Sequence, residues 1–232
     1  MKHACAILLA GGRGLRLDPR TPKQFLPLGG KPVIAWSLDL CESLDAVDHI
    51  LAVVPEEYIP EAEKIAAARG IRKIVKCVPG GETRQESAYR SLTALPFADD
   101  DILVFHDVAR PFLRPDLLLQ CIDEADRHGA AAVYVPVHDT IAEIRDGFVR
   151  SIPPRETLFC AQTPQAFQFS IISRAHNASR RNSLSVTDDV SLALEAGFNV
   201  KVIEGDHSNF KITTDLDYQI ACSIADELKT EE

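Results

Sequence analysis

The chain has 232 residues, 46% of them hydrophobic, and sets 34 acidic side chains against 25 basic ones for a formal net charge of -9. That length and apolar content fit one core and one domain spanning 1-232, and the acidic surface argues against nonspecific binding to nucleic acid or to an anionic membrane. Six cysteines (Cys5, Cys41, Cys77, Cys121, Cys160, Cys222) lack paired spacing and lie mostly in apolar runs; with no signal-like or membrane-spanning segment, a soluble protein of the reducing cytoplasm is expected.

An apolar run from Ala4 to Leu9 predicts a buried first strand, which breaks into Ala10-Gly11-Gly12-Arg13-Gly14-Leu15-Arg16-Leu17. Pro32 to Leu44 has helical spacing and His49 to Val54 reads as a second buried strand. A helix from Pro60 to Ala68 ends at Gly70, and Lys73 to Val78 predicts a third strand. A helix from about Arg84 to Leu95 follows Gly80-Gly81. Asp101 to Phe105 is a fourth strand, Pro115 to His128 a helix and Ala131 to Val137 a fifth strand. The alternation implies a doubly wound, mostly parallel α/β sheet of Rossmann-like type, with ligands at the carboxyl ends of its strands.

From His138 to about Thr157 the rhythm fails. Thr140 to Ile144, the turn dipeptide Asp146-Gly147, and Phe148-Val149 predict a β-hairpin arm inserted in the domain. Beyond it, helices are expected at Phe169 to Arg180, Asp188 to Ala196 and Asp215 to Leu228, with strands at Asn199 to Glu204 and Phe210 to Thr213.

The glycine loop after the first strand brings exposed backbone N–H groups beside Arg13, Arg16 and Lys23, an arrangement suited to a polyphosphate. It is not a Walker A loop, because Gly14 is followed by Leu15 and Arg16, and it lacks the third glycine of the dinucleotide fingerprint. Taken alone it serves equally well as a tight turn with solvated arginines. The fourth strand delivers His106-Asp107-Val108-Ala109-Arg110-Pro111 at its carboxyl end. A carboxylate beside a phosphate cradle suits Mg²⁺, which takes one or two protein carboxylates and completes its shell with phosphate and water; as a bare residue, Asp107 could also cap a turn. No cysteine or histidine cluster has zinc spacing, and no Gly-x-Ser-x-Gly elbow is present.

With Pro22-Lys23-Gln24-Phe25-Leu26-Pro27-Leu28 attached, the glycine loop resembles that of nucleotidyltransferases that activate phosphorylated sugars and polyols. Three further signatures, His106 to Pro111, Gln162 to Phe167 and Asn209 to Thr214, narrow the resemblance to the 2-C-methyl-D-erythritol 4-phosphate cytidylyltransferase (IspD) family, over nearly the whole chain. The resemblance implies transfer of CMP from CTP to the polyol phosphate, with a divalent cation as cofactor. It implies Arg16, Lys23 and Lys211 as catalytic, with Ala10, Gly11, Gly12, Gly14, Gly81, Glu82 and Ser87 holding the nucleotide. Arg110, Thr140, Arg155, Thr163 and Thr187 would hold the second substrate, and Asp107 the metal. His106 is left to structure. Ser208 stands where some members carry a second metal-site aspartate, with Asp206 as a possible substitute. The arm is expected to join a homodimer, with Thr140 and Arg155 serving the neighbouring site. A ribitol 5-phosphate cytidylyltransferase shares the CTP signatures and is the nearest rival; a nucleotide-binding module without catalysis is another, a plain oxidoreductase domain is a third that the failed dinucleotide fingerprint weakens, and no fused cyclase domain is expected.

Overall fold

The computed structural model describes residues 3–12, 21–182 and 186–230. In chain order the elements are β1 (Ala4–Leu9), β2 (Pro27–Leu28), β3 (Lys31–Pro32), α1 (Val33–Ser43), β4 (His49–Val54), α2 (Ile59–Ala68), β5 (Ile74–Pro79), α3 (Arg84–Leu92), β6 (Ile102–Asp107) and α4 (Pro115–His128). They continue with β7 (Ala130–Pro136), β8 (Glu143–Arg145), β9 (Phe148–Ser151), β10 (Phe159–Gln168), α5 (Phe169–Asn182), α6 (Asp189–Glu195), β11 (Lys201–Glu204) and α7 (Asp215–Thr230).

One seven-stranded sheet runs β11-β7-β10-β6-β1-β4-β5. Every residue of β1 is buried, because helices cover both faces, and this accounts for an uninterrupted apolar run where a half-exposed strand would alternate. Ala4, Ala6 and Leu8 pack with α1, α2 and α4 on one side. Cys5, Ile7 and Leu9 pack with α3, α5 and α6 on the other. β1 pairs in parallel with both β4 and β6. The chain therefore winds outward from β1 in one direction and then in the other, which opens a crevice at the carboxyl ends of β1 and β6.

The pattern expected of a doubly wound sheet is present, and the differences are local; a short β2–β3 pair is one of them. β10 was not anticipated: it runs antiparallel between β6 and β7, with a register break between Ala161 and Gln165 and a cis Thr163-Pro164 bond. The expected strand at Phe210 to Thr213 is instead a loop, tied by the Ile212 N–H to the Ala109 carbonyl and by the N–H groups of Thr213 and Thr214 to the Asp217 carboxylate. α3 ends at Leu92, short of Leu95. The arm begins at Glu143, leaving Thr140 in the loop before it. Its turn places Asp146 at φ 53° and Gly147 at φ 80°, the paired left-handed backbone that Asp-Gly favours.

Candidate active site

A cleft of about 800 Å³ opens over the carboxyl ends of β1 and β6. Ala10, Gly11 and Gly12 form one wall, Gly80 to Arg84 and Ser87 another, and the lining also includes Lys23, Glu56, Glu57, Asp107 and Lys211. The glycines are there for close approach. A Cβ on Gly11 would stand 3.2 Å from the Ser87 hydroxyl, and one on Gly81 would overlap the Glu86 side chain. α3 starts at this wall with Thr83 as its cap, accepting the Glu86 N–H at 3.0 Å. The Ser87 hydroxyl accepts the Gly81 N–H at 3.0 Å and donates to the Thr83 carbonyl at 2.9 Å.

Asp107 ends β6 and is 7% exposed. Lys211 Nζ donates to Oδ2 at 2.6 Å and Arg84 Nε to Oδ1 at 3.2 Å. Burial alone would raise its pKa; Arg84 and Lys211 outweigh burial and hold the carboxyl well below the usual carboxylate range. Lys211 is not the buried strand lysine its apolar neighbours suggest: it lies in the loop after β11, with its side chain 40% exposed. Lys23 follows the turn at Pro22 and donates to the Ile212 carbonyl at 3.1 Å, which joins the first and last parts of the cleft.

Behind Asp107 lies a chain of neutral contacts. The Asp107 N–H donates to the Thr163 hydroxyl at 3.1 Å, and that hydroxyl meets His106 Nδ1 at 3.1 Å. The Arg110 carbonyl can only accept, so Nε2 of the neutral imidazole carries the proton and donates to it at 3.1 Å, and Nδ1 accepts the Thr163 O–H. Burial pushes His106 down to about 4, so it stays neutral here. The Arg110 guanidinium donates to the carbonyls of Asn209 at 2.7 Å and Ala161 at 3.2 Å. Its charge is largely desolvated, and its two hydrogen bonds go to carbonyls rather than to a carboxylate.

Thus Ala10, Gly11, Gly12, Lys23, Gly81, Glu82, Ser87, Asp107 and Lys211 converge on one cleft. Thr163 lies beneath Asp107, and Arg110 joins the same cluster through its backbone. Thr187 is exposed just before the α6 cap, Asp188, and does not line the cleft. Thr140 and Arg155 stand exposed at the base of the arm, with Arg155 donating to the His138 carbonyl at 2.9 Å. Gly14 and Arg16 lie outside the described residues.

The reading from sequence missed Arg84. It bridges Asp107 and the fully buried Asp189, which it meets at 2.6 Å, while His176 meets Asp189 from the other side at 3.1 Å. The partners lie 23 and 105 positions away in sequence, so no local pattern marks them. The first residue of a capped helix carries no signal of its own.

Among the described residues no group of three His, Cys, Asp or Glu could cage a metal. Asp206 does not supply a second carboxylate: its oxygens take Arg114 at 3.0 Å and the Ser208 N–H at 2.8 Å. Asp107 alone, at the cleft floor, fits a Mg²⁺ site whose remaining donors are phosphate and water.

A glycine wall, several cations and one deep carboxylate at the switch point of a doubly wound sheet define a nucleotide-binding transferase site. The comparisons with known proteins narrow that class. The family model described as 2-C-methyl-D-erythritol 4-phosphate cytidylyltransferase matches residues 4–227. The protein of that name from Pelotomaculum thermopropionicum is 41% identical over 95% of this chain and 93% of its own length, and the one from Geobacillus kaustophilus is 41% identical over 94% and 95%. Among solved structures, the 4-diphosphocytidyl-2C-methyl-D-erythritol synthase of Anaerococcus prevotii superposes with a TM-score of 0.85 at 30% identity, covering 96% of each chain. The 2-C-methyl-D-erythritol 4-phosphate cytidylyltransferase of Thermus thermophilus gives 0.79 at 31%, covering 97% of this chain and 99% of that one. The chain belongs to the IspD family.

Proposed function

We propose that this chain transfers CMP from CTP to 2-C-methyl-D-erythritol 4-phosphate, releasing diphosphate and forming 4-diphosphocytidyl-2-C-methyl-D-erythritol for non-mevalonate isoprenoid synthesis. The family it belongs to and the names of its relatives favour this polyol over ribitol 5-phosphate. One structural observation carries the reading to chemistry. In a chain of net charge -9, Lys23, Arg84 and Lys211 all line the cleft, Arg84 and Lys211 on the Asp107 carboxylate and Lys23 on the Ile212 carbonyl, with the desolvated Arg110 nearby. Side-chain cations on a cleft wall beside glycine N–H groups suit an anionic, phosphate-bearing ligand.

The substrate phosphate is already ionised near neutral pH, so the protein needs no strong general base. An oxygen of that phosphate attacks the α-phosphorus of CTP, the new P–O bond forms in line, and diphosphate departs with the electron pair of the broken bond. The walls at Ala10 to Gly12 and Gly80 to Ser87 hold the nucleotide, while Lys23 and Arg16 neutralise charge at the reacting phosphates. Lys211 and Arg110 orient the attacking phosphate, with Thr163 fixing the backbone of Asp107. Asp107 would hold a divalent cation, which when bound would supply further neutralisation of charge at the reacting phosphates.

The arm supports a homodimer. Ile144, Phe148, Val149 and Ile152 are each about 60% exposed or more, and a hairpin of this size has no core of its own. On this reading it packs on a second copy, and Thr140 and Arg155 at its base serve the partner's polyol phosphate. CTP and the thiols favour a cytoplasmic setting: all six cysteines are free. No helix among the described residues is long and apolar enough to cross a membrane. The assay is direct: purified protein, CTP, Mg²⁺ and each polyol phosphate in turn, with diphosphate release measured. Methylerythritol phosphate should support turnover and ribitol phosphate should not. The reverse preference would reassign the substrate, and release with neither would leave a binding module.

A further inference from the structure

Arg84 is fixed beside Asp107. Its Nη1 meets Asp189 at 2.6 Å, and Asp189 is fully buried and held from its other side by His176, itself 1% exposed. Withdrawing Arg84 from Asp107 would mean tearing it from this second, deeper pair. Lys211 has no such tether among the described residues, and its half-exposed ammonium can swing away from the carboxylate it now meets at 2.6 Å. So of the two cations on Asp107, one is movable and one is permanent.

A hydrated divalent cation arriving alone would have to displace the ammonium, shed water and then stand beside the guanidinium, which holds Oδ1 at 3.2 Å. Arg84 and Lys211 together already balance both Asp107 and Asp189, so the cluster has no negative charge to spare for a third cation. A nucleotide changes the balance, because its triphosphate brings several negative charges and its own oxygen ligands to the same spot. We propose that Arg84 is a positioning residue that closes Asp107 to free divalent cations and opens it to a cation carried by the nucleotide. This rests on the reading of Asp107 as the metal carboxylate, and it explains why a buried acid at the cleft floor is flanked by a guanidinium that cannot leave.

Mn²⁺ serves as the probe, its free and bound forms distinguished by electron paramagnetic resonance on the full-length protein. Titrations are run without nucleotide and with CTP, polyol phosphate omitted throughout so that nothing turns over. Wild type without nucleotide should bind no more Mn²⁺ than Asp107→Asn does, and with CTP it should bind clearly more than that variant. Arg84→Gln should bind Mn²⁺ without nucleotide roughly tenfold or more tighter than wild type, and Arg84→Gln/Asp107→Asn should lose that gain. Nucleotide-free binding by wild type that Asp107→Asn abolishes would overturn the proposal, whether or not the Arg84 variant folds. So would a folded Arg84→Gln with no gain. If CTP-dependent binding is the same in wild type and Asp107→Asn, the metal-site reading itself is wrong and this inference goes with it.

Discussion

Asp107 meets Lys211, Arg84 and the Thr163 hydroxyl within 3.2 Å, so replacing it removes one charge and takes a partner from two cations together. Asp107→Asn keeps the shape and, through its backbone N–H, the Thr163 contact. The variant should stay folded and lose on the order of 10²-fold or more in turnover even in excess Mg²⁺, as read by initial rates beside a thermal melt. Wild-type metal dependence in a folded variant would reduce Asp107 to a structural cap. Lys23→Ala should fall by a similar order with its melting temperature little changed, because its side chain bridges the cleft and stands outside the core.

His106 makes a pH prediction. Its folded pKa lies near 4 against about 6.5 for an unperturbed histidine, so the unfolded chain binds a proton that the folded chain refuses. The stability it contributes is full above the unfolded value and is lost as pH falls from about 6.5 toward 4, an effect on the order of 3 kcal/mol. Urea denaturation of wild type and His106→Gln across that window checks it. The variant should be less stable at pH 7 and should converge on wild type at acid pH; parallel curves would show that His106 does not drive the loss.

Elements differ in how plainly their residues announce them. α4 has the bounds the sequence predicts, Pro115 to His128, because Pro at its first position starts it and Gly129, at φ 85°, ends it. β1 is legible because burial on both faces demands a continuous apolar run. β10 hides for the converse reason. Its outer part, Phe159 to Ala161, is exposed, a proline interrupts it, and Gln162, Thr163 and Gln165 are buried polar residues spent on hydrogen bonds. Such a strand has no period to read. The 210 to 213 loop deceives through Phe210 and Ile212, which are apolar because they pack with α7 and Phe112, not because they pair in a sheet. The site follows the same rule: glycines, Asp107 and Lys211 stand in local motifs, whereas Arg84 has meaning only through contacts distant in sequence.

The arm is the element most separable from the rest. All residues from Glu143 to Ser151 are exposed, and among the described residues β8 pairs only with β9. Replacing that segment with a short Gly-Ser link should leave the urea midpoint of the isolated subunit nearly unchanged, since no core residue loses a neighbour. Turnover should nevertheless collapse. A large fall in midpoint measured below the dimer's dissociation concentration would mean that the arm belongs to the subunit's own fold.

At the scale of the whole molecule the proposal couples two chains, because Arg155 stands at the base of the arm and Arg16 in the glycine loop of the nucleotide site. Mixing inactive Arg16→Ala with inactive Arg155→Ala subunits should restore activity, one site of each mixed dimer then having both arginines. No recovery in proven mixed dimers would contradict the shared site.

The central claim is the transfer of CMP, a bond made at the α-phosphorus in the cleft above β1 and β6. It is tested by giving the enzyme 2-C-methyl-D-erythritol 4-phosphate, Mg²⁺ and CTP radiolabelled at either the α- or the γ-phosphorus, then separating the products. The account predicts that the α label enters the polyol product while the γ label leaves as diphosphate. A γ label on the polyol, or an α label found only in free CMP, would contradict it.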